Sequence, residues 1–130
     1  MRSMKRLLST LCIALSLIWL GNTPLRAQAD AEPKALFQKV LDSTLQNNYQ
    51  ALMSVCDQQM QDMVRPEMVT DLNRSLMTRF RLGYTPTYMG FLVKGGARVY
   101  YWKISLKDRG DDMLMTLVVR QDLVSAFTLK

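Results

Sequence analysis

Apolar positions recur with a helical spacing along the first half of the chain and with an alternating spacing along the second. Leu36, Phe37, Val40, Leu41 and Leu45 fall on one face of a helix, with Lys34, Gln38, Lys39, Asp42 and Ser43 off it. Pro33 suits the first turn of that helix, where its missing N–H costs nothing. Asn47-Asn48 ends it, because Asn tolerates the left-handed conformation of a C-terminal cap. A second helix is predicted from near Tyr49, with Leu52, Val55, Cys56, Met60 and Met63 as its apolar stripe and Asp57, Gln58, Gln61 and Asp62 outside. Pro66 stops that helix or starts a third. The third has Met68, Val69, Leu72, Leu76 and Phe80 on its apolar side, Asn73, Arg74, Thr78, Arg79 and Arg81 on its wet side, and Gly83 as C-cap.

Beyond Gly83 the period changes from 3.6 to 2. Tyr84 to Val93 is rich in Tyr, Thr, Phe and Val and reads as a strand, with Pro86 marking an edge or a bulge near its start. Lys94-Gly95-Gly96 is a hairpin turn. Ala97 to Leu106 is the clearest strand: Tyr100, Trp102, Ile104 and Leu106 share one face, Val99, Tyr101, Lys103 and Ser105 the other. A turn over Asp108 to Asp112, a strand over Met113 to Arg120, a tight turn at Gln121-Asp122 and a last strand over Leu123 to Leu129 complete the pattern. Such short connections favour antiparallel neighbours. The expectation is an α+β domain, N-terminal helices packed on a curved four-stranded antiparallel sheet. A twisted sheet covered from one side is concave, and helices that do not fill it leave an apolar pocket.

The first residues have the three zones of an export signal. Arg2, Lys5 and Arg6 precede a nearly continuous apolar run, Leu7 to Leu20, and Ala27-Gln28-Ala29 places small residues at the two positions a signal peptidase reads. The run is shorter than the roughly 20 residues a spanning helix needs. Residues 1–29 are therefore expected to be a signal peptide and 30–130 a single exported domain, periplasmic or extracellular, meeting a membrane only during export. The whole chain has 17 Lys+Arg and 11 Asp+Glu. Four of the basic residues (Arg2, Lys5, Arg6 and Arg26) lie in the signal and no acidic residue does, so 13 against 11 remain, a net of +2. That balance argues against a nucleic-acid partner, which calls for a clustered basic face. Cleavage also leaves Cys56 as the lone cysteine, without an intramolecular disulfide partner and at helical spacing from Leu52, where it packs as a small hydrophobe.

Three helices followed by an antiparallel meander resemble the nuclear transport factor 2-like (cystatin-like) superfamily. More narrowly they resemble a small secreted bacterial family of unknown function that also occurs ahead of α/β-hydrolase domains. The residues carrying the likeness are Phe37 to Leu41, Asn48-Tyr49 at a polar break, Cys56-Asp57, Leu82-Gly83-Tyr84, and the alternating stretches Val99 to Leu106 and Met113 to Val119. The resemblance implies a cone-shaped fold whose sheet curls around the helices, with a pocket at the open end and dimerisation through the sheet.

Catalytic patterns are sparse. The chain has no histidine, which removes the commonest general base and metal ligand and every Ser–His or Cys–His arrangement. It has no CxxC, no phosphate-cradling Gly-rich loop and no nucleophile elbow. Asp108, Asp111 and Asp112 lack the Asp-x-Asp-x-Asp-Gly spacing of a calcium loop and read as a charged hairpin tip. Ten methionines include Met60-x-x-Met63 and Met113-x-Met115; thioethers can hold Cu(I), but both pairs occupy core positions, where Met fills gaps. No cofactor or metal is expected.

Some superfamily enzymes pair an Asp base with a Tyr hydroxyl inside the cone. The analogous set is Asp57 with Tyr84, Tyr88 or Tyr101, against a reading of Asp57 as a capping residue and of the tyrosines as sheet packing. The pocket candidates are Asp57, Tyr84, Tyr88, Tyr101 and Trp102. Tyr101, with Val99 and with Met115 or Phe127, would serve a pocket or a second subunit on the face away from Tyr100 and Trp102, since exposed apolar patches seldom persist in monomers. The function expected is a non-catalytic binding or accessory domain, with a small apolar ligand in the pocket or a homodimer through the sheet face. The alternatives are a small isomerase- or hydratase-like enzyme using Asp57 and a tyrosine, and a structural dimerisation module.

Overall fold

The computed structural model describes residues 25–130, with side chains from Pro33 onward. Residues 1–24 of the expected signal segment lie outside the described residues. Four helices come first: α1 (Leu25–Leu45), α2 (Tyr49–Met53), α3 (Gln58–Met63) and α4 (Pro66–Phe80). Four strands follow: β1 (Tyr84–Lys94), β2 (Ala97–Leu106), β3 (Met113–Arg120) and β4 (Leu123–Leu129). They form one antiparallel sheet in the order β1-β2-β3-β4. The protein is an α+β domain of helices followed by a meander. Among the described residues no helix is long and apolar enough to cross a membrane.

Local chemistry explains most boundaries. Asn47 takes a left-handed φ of 52° and closes α1, while the Asn48 side chain accepts from the Ala51 amide and opens α2. Pro66 stands in the first turn of α4. Gly83, at φ 106°, turns the chain out of α4 and into β1. Gln121 and Asp122 both have positive φ, as a two-residue hairpin between twisted strands requires.

Two of the predicted helix boundaries are corrected. Pro33 lies inside α1, which begins at Leu25, rather than in its first turn. There its ring removes the bond that a Pro33 N–H would have made to the carbonyl four residues back and crowds that carbonyl. The predicted second helix is two, α2 and α3, interrupted where Cys56 bridges to Val124 at the sheet's far edge. The Val124 amide donates to the Val55 carbonyl (2.8 Å) and the Asp57 amide to the Val124 carbonyl (2.9 Å). Those bonds draw 55–57 into extended backbone, and Asp57 then restarts the helix as its N-cap.

The core lies between the helices and one face of the sheet. Trp102 pairs with Met115 and Tyr100 with Leu117 across β2 and β3, so all four share the helix-facing side with Phe127, the partner of Leu117. Met115 and Phe127 are thus on the face of Trp102, not on that of Tyr101 as expected, because antiparallel register puts directly opposed residues on one side. Phe37 of α1 stacks on Trp102, ring centroids 4.4 Å apart and planes 20° apart. Val40, Leu41, Leu52, Ile104, Leu117 and Val124 complete a fully buried centre. Asn73, placed on the wet side of α4 by periodicity, instead donates to the last carbonyls of α1, Thr44 (3.0 Å) and Leu45 (2.8 Å), satisfying groups a helix end leaves open.

Trp102→Ala is expected to destabilise the domain by about 3 kcal/mol or more, because it leaves a cavity under α1; chemical denaturation measures it.

Candidate functional site

Three clefts open between the helical layer and the sheet, and their linings differ in chemistry. One of about 280 Å³ lies beside the middle of α1, between Pro33 and Leu36 and the residues Gly96, Arg98, Gln121 and Asp122 at two hairpin ends. Its walls are largely polar. A second, of about 400 Å³, runs between α1 and β1 and includes two expected pocket residues, Tyr88 and Trp102. Trp102 is only 2% exposed and its stacking partner Phe37 3%. Their rings are spent on the core and on each other, so the open wall is Lys34, Gln38, Pro86, Thr87 and the half-buried Tyr88.

The third cleft, of about 320 Å³, is apolar throughout. Leu52 of α2 and the buried Met60 and Val69 form its floor. Met63 and Val64 border it on the α3 side, Met68 and Leu72 on the α4 side, and Ala126 and Phe127 from β4. Met63 is 61% exposed and Met68 53%, so the groove presents two free thioether arms over a fixed aliphatic floor. The periodicity had placed both methionines in the core. They lie on apolar stripes, but among the described residues no element packs over the groove at that end, so their flexible side chains stay at the rim.

Short hydrogen bonds hold the groove's walls in place. The Asp57 carboxylate accepts from the Met60 amide (2.9 Å) and from the Ser125 hydroxyl (2.6 Å), joining the start of α3 to β4. These bonds, the Ser125 one first, hold its pKa below the ordinary 3.8, so it is a fixed anion at neutral pH. The Gln61 amide donates to the carbonyls of Met53 (3.3 Å) and Cys56 (3.0 Å), and the Tyr49 hydroxyl to that of Val64 (2.9 Å). Together they set α2, α3 and the turn into α4 at fixed angles around the apolar floor.

The expected residues are not brought together. Asp57 binds β4, at one edge of the sheet; Tyr84 and Tyr88 belong to β1, at the other. Three inter-strand steps, roughly 14 Å, separate those edges. Tyr84 packs on Phe80, ring centroids 5.1 Å apart. Tyr88 sits beside Trp102, and Tyr101 faces away from the helices, opposite Thr116. No Asp–Tyr acid–base pair forms from this set. Cys56 is buried, and its thiol donates to the Leu52 carbonyl (3.2 Å). Burial, and then the neighbouring Asp57 charge, push its pKa up to about 11, so it stays a protonated core thiol.

The groove residues Met60, Met63, Met68, Leu72 and Phe127 were absent from the expected pocket. The signal in the sequence was the surplus of methionine on two adjacent helical stripes, one more apolar surface than a small core can cover. None of the lining residues ionises near neutral pH. The groove therefore offers shape and dispersion contacts, not general acid–base chemistry, and its three thioethers are the lining's soft donors. No protein-family model, no curated protein and no solved structure matches this chain.

Two measurements check these assignments. Cys56 should resist thiol reagents at mildly alkaline pH and react at once when denaturant opens the core. The Asp57 carboxylate has a lowered folded pKa, so its contribution is present above the ordinary carboxylate range and lost as pH falls through it. Tm of the native protein should thus drop below about pH 4, and Asp57→Asn should flatten part of that acid slope while lowering Tm at neutral pH.

Proposed function

We propose that this domain binds a small, uncharged apolar ligand in the methionine-rimmed groove between α3, α4 and β4, and that it is not a catalyst. The supporting observation is the groove itself: about 320 Å³, within the range of small-molecule sites, with no ionisable group in its lining. A charged or strongly polar ligand would lose its water there without compensation. The exposed Met63 and Met68 arms can adjust to a ligand's outline, which suits a class of apolar molecules over one exact shape.

A secreted binding or accessory role and a nuclear transport factor 2-like cone accord with this reading and are part of the proposal. The order of helices then meander supports the cone, and the pattern of the first 29 residues supports export. The separation of Asp57 from the tyrosines weighs against the isomerase-like alternative.

The test is a titration with an apolar fluorophore such as diphenylhexatriene, followed by native mass spectrometry of protein purified from its host. Saturable binding is expected, and Met68→Glu should weaken it roughly tenfold or more by burying an unpaired charge. Met68 is exposed, so Tm should hardly move. Binding that Met63→Glu and Met68→Glu both leave untouched would refute the groove as the site.

A further inference from the structure

The cleft beside the middle of α1 carries chemistry opposite to that of the methionine groove, and the two share no lining residue. One of its walls is Tyr100, a residue only 5% exposed. The Tyr100 ring is fixed among other rings, its centroid 5.4 Å from that of Phe91, 6.0 Å from that of Trp102 and 6.5 Å from that of Tyr88. A buried tyrosine ordinarily spends its hydroxyl on a neighbour. The Tyr100 hydroxyl makes no hydrogen bond among the described residues, yet none of their buried side-chain N or O atoms lacks a partner. It therefore reaches open space, and the space that Tyr100 lines is this cleft. The Gln121-Asp122 turn adds an amide, which both donates and accepts, and a carboxylate, which accepts.

We propose that this cleft binds one neutral sugar ring, a second ligand class on a surface separate from the apolar groove. Each part of such a ring has a counterpart. Its hydroxyls donate and accept, as the Tyr100 hydroxyl and the Gln121 amide do, and they can also donate to Asp122. Its C–H face meets Leu36 of α1 and Val119 of β3. The volume, about 280 Å³, falls just below the roughly 300 Å³ at which pockets for drug-sized molecules begin, and suits a single ring. Ions are disfavoured: Arg98 and Asp122 share the cleft, so an anion meets the one carboxylate and a cation meets the guanidinium. A wholly apolar ligand would strip water from the Tyr100 hydroxyl, the Gln121 amide and the Asp122 carboxylate without replacing its hydrogen bonds. The turn itself does not call for glutamine. Gln121 has a φ of 48°, a left-handed conformation that glycine takes more readily.

The test uses the full chain and saturation-transfer NMR, with glucose, galactose, mannose and N-acetylglucosamine as separate probes. At least one is expected to bind saturably. Tyr100→Phe removes only the hydroxyl. It should weaken that sugar roughly fivefold or more and leave Tm unchanged, because the hydroxyl bonds nothing in the fold. Gln121→Gly should weaken it severalfold while Tm holds or rises. Met68→Glu, in the apolar groove, should leave sugar binding as it is, so the two sites stand or fall separately. Three results would overturn the proposal: no signal from any of the four sugars, a sugar affinity that Tyr100→Phe and Gln121→Gly both leave untouched, or binding of citrate or putrescine that is tighter than that of any sugar and is lost in Tyr100→Phe. The last would assign the cleft to an ion.

Discussion

The stack of Phe37 on Trp102 is the contact on which the architecture depends. It joins the longest helix to the sheet near the middle of both, and it lies in a run of rings that continues through Tyr88, Tyr100 and Phe91. Aromatic pairs of this kind add directional preference to ordinary burial. Once α1 is seated, Asn73 can bond its last carbonyls, and the α4 axis follows from that contact. Arg79, near the end of α4, then binds Asp108 (2.9 Å) and the Asp111 carbonyl (2.6 Å) of the β2–β3 loop. Of the aspartates considered above as a metal loop, Asp108 is tied to a helix end by its carboxylate and Asp111 by its carbonyl, while Asp112 pairs with Lys103 of β2 (3.8 Å).

A second constraint acts at the opposite edge. The backbone exchange between residues 55–57 and Val124 covers the free edge of β4, and Asp57 bonded to Ser125 fixes where α3 begins. Covered edges do not invite further strands. The same seam holds α3 away from α4 at the end where Met63 and Met68 project, which leaves the groove open. Among the described residues β1 has no such cover. Pro86 and the irregularity between Tyr88 and Gly90 interrupt its first half, yet the stretch from Phe91 to Val93 keeps its apolar side chains in the open. The two edges of one sheet are thus handled differently, one sealed by the chain itself and one ending in an exposed apolar stretch.

The absence of histidine and the placement of the carboxylates shape what the domain can do. Asp57 is an anion held by two donors, Cys56 a protonated thiol within the core, and the tyrosines are divided between the two faces of the sheet. Asp57 and Cys56 are thus committed to the fold, and the tyrosines are not gathered around either. The methionine-rimmed groove has an apolar lining, and the proposal of apolar-ligand binding rests on it.

By itself the sequence determined the elements whose causes are local. Alternating residues specified three strands to the residue and β1 to within one, because a period of two needs no partner to be read. Asn47, Gly83 and the Gln121-Asp122 pair marked their turns because positive φ is demanded of the residue at that position. The tertiary structure alone decided the break between α2 and α3, the burial of Met115 beside Trp102, the capping role of Asn73 and the exposure of Met63 and Met68. Each depends on a partner far along the chain, as Asp57 does on Ser125, 68 residues away. A periodic stripe shows which side of a helix is apolar; how far another element reaches across that side is settled only when the whole chain is packed.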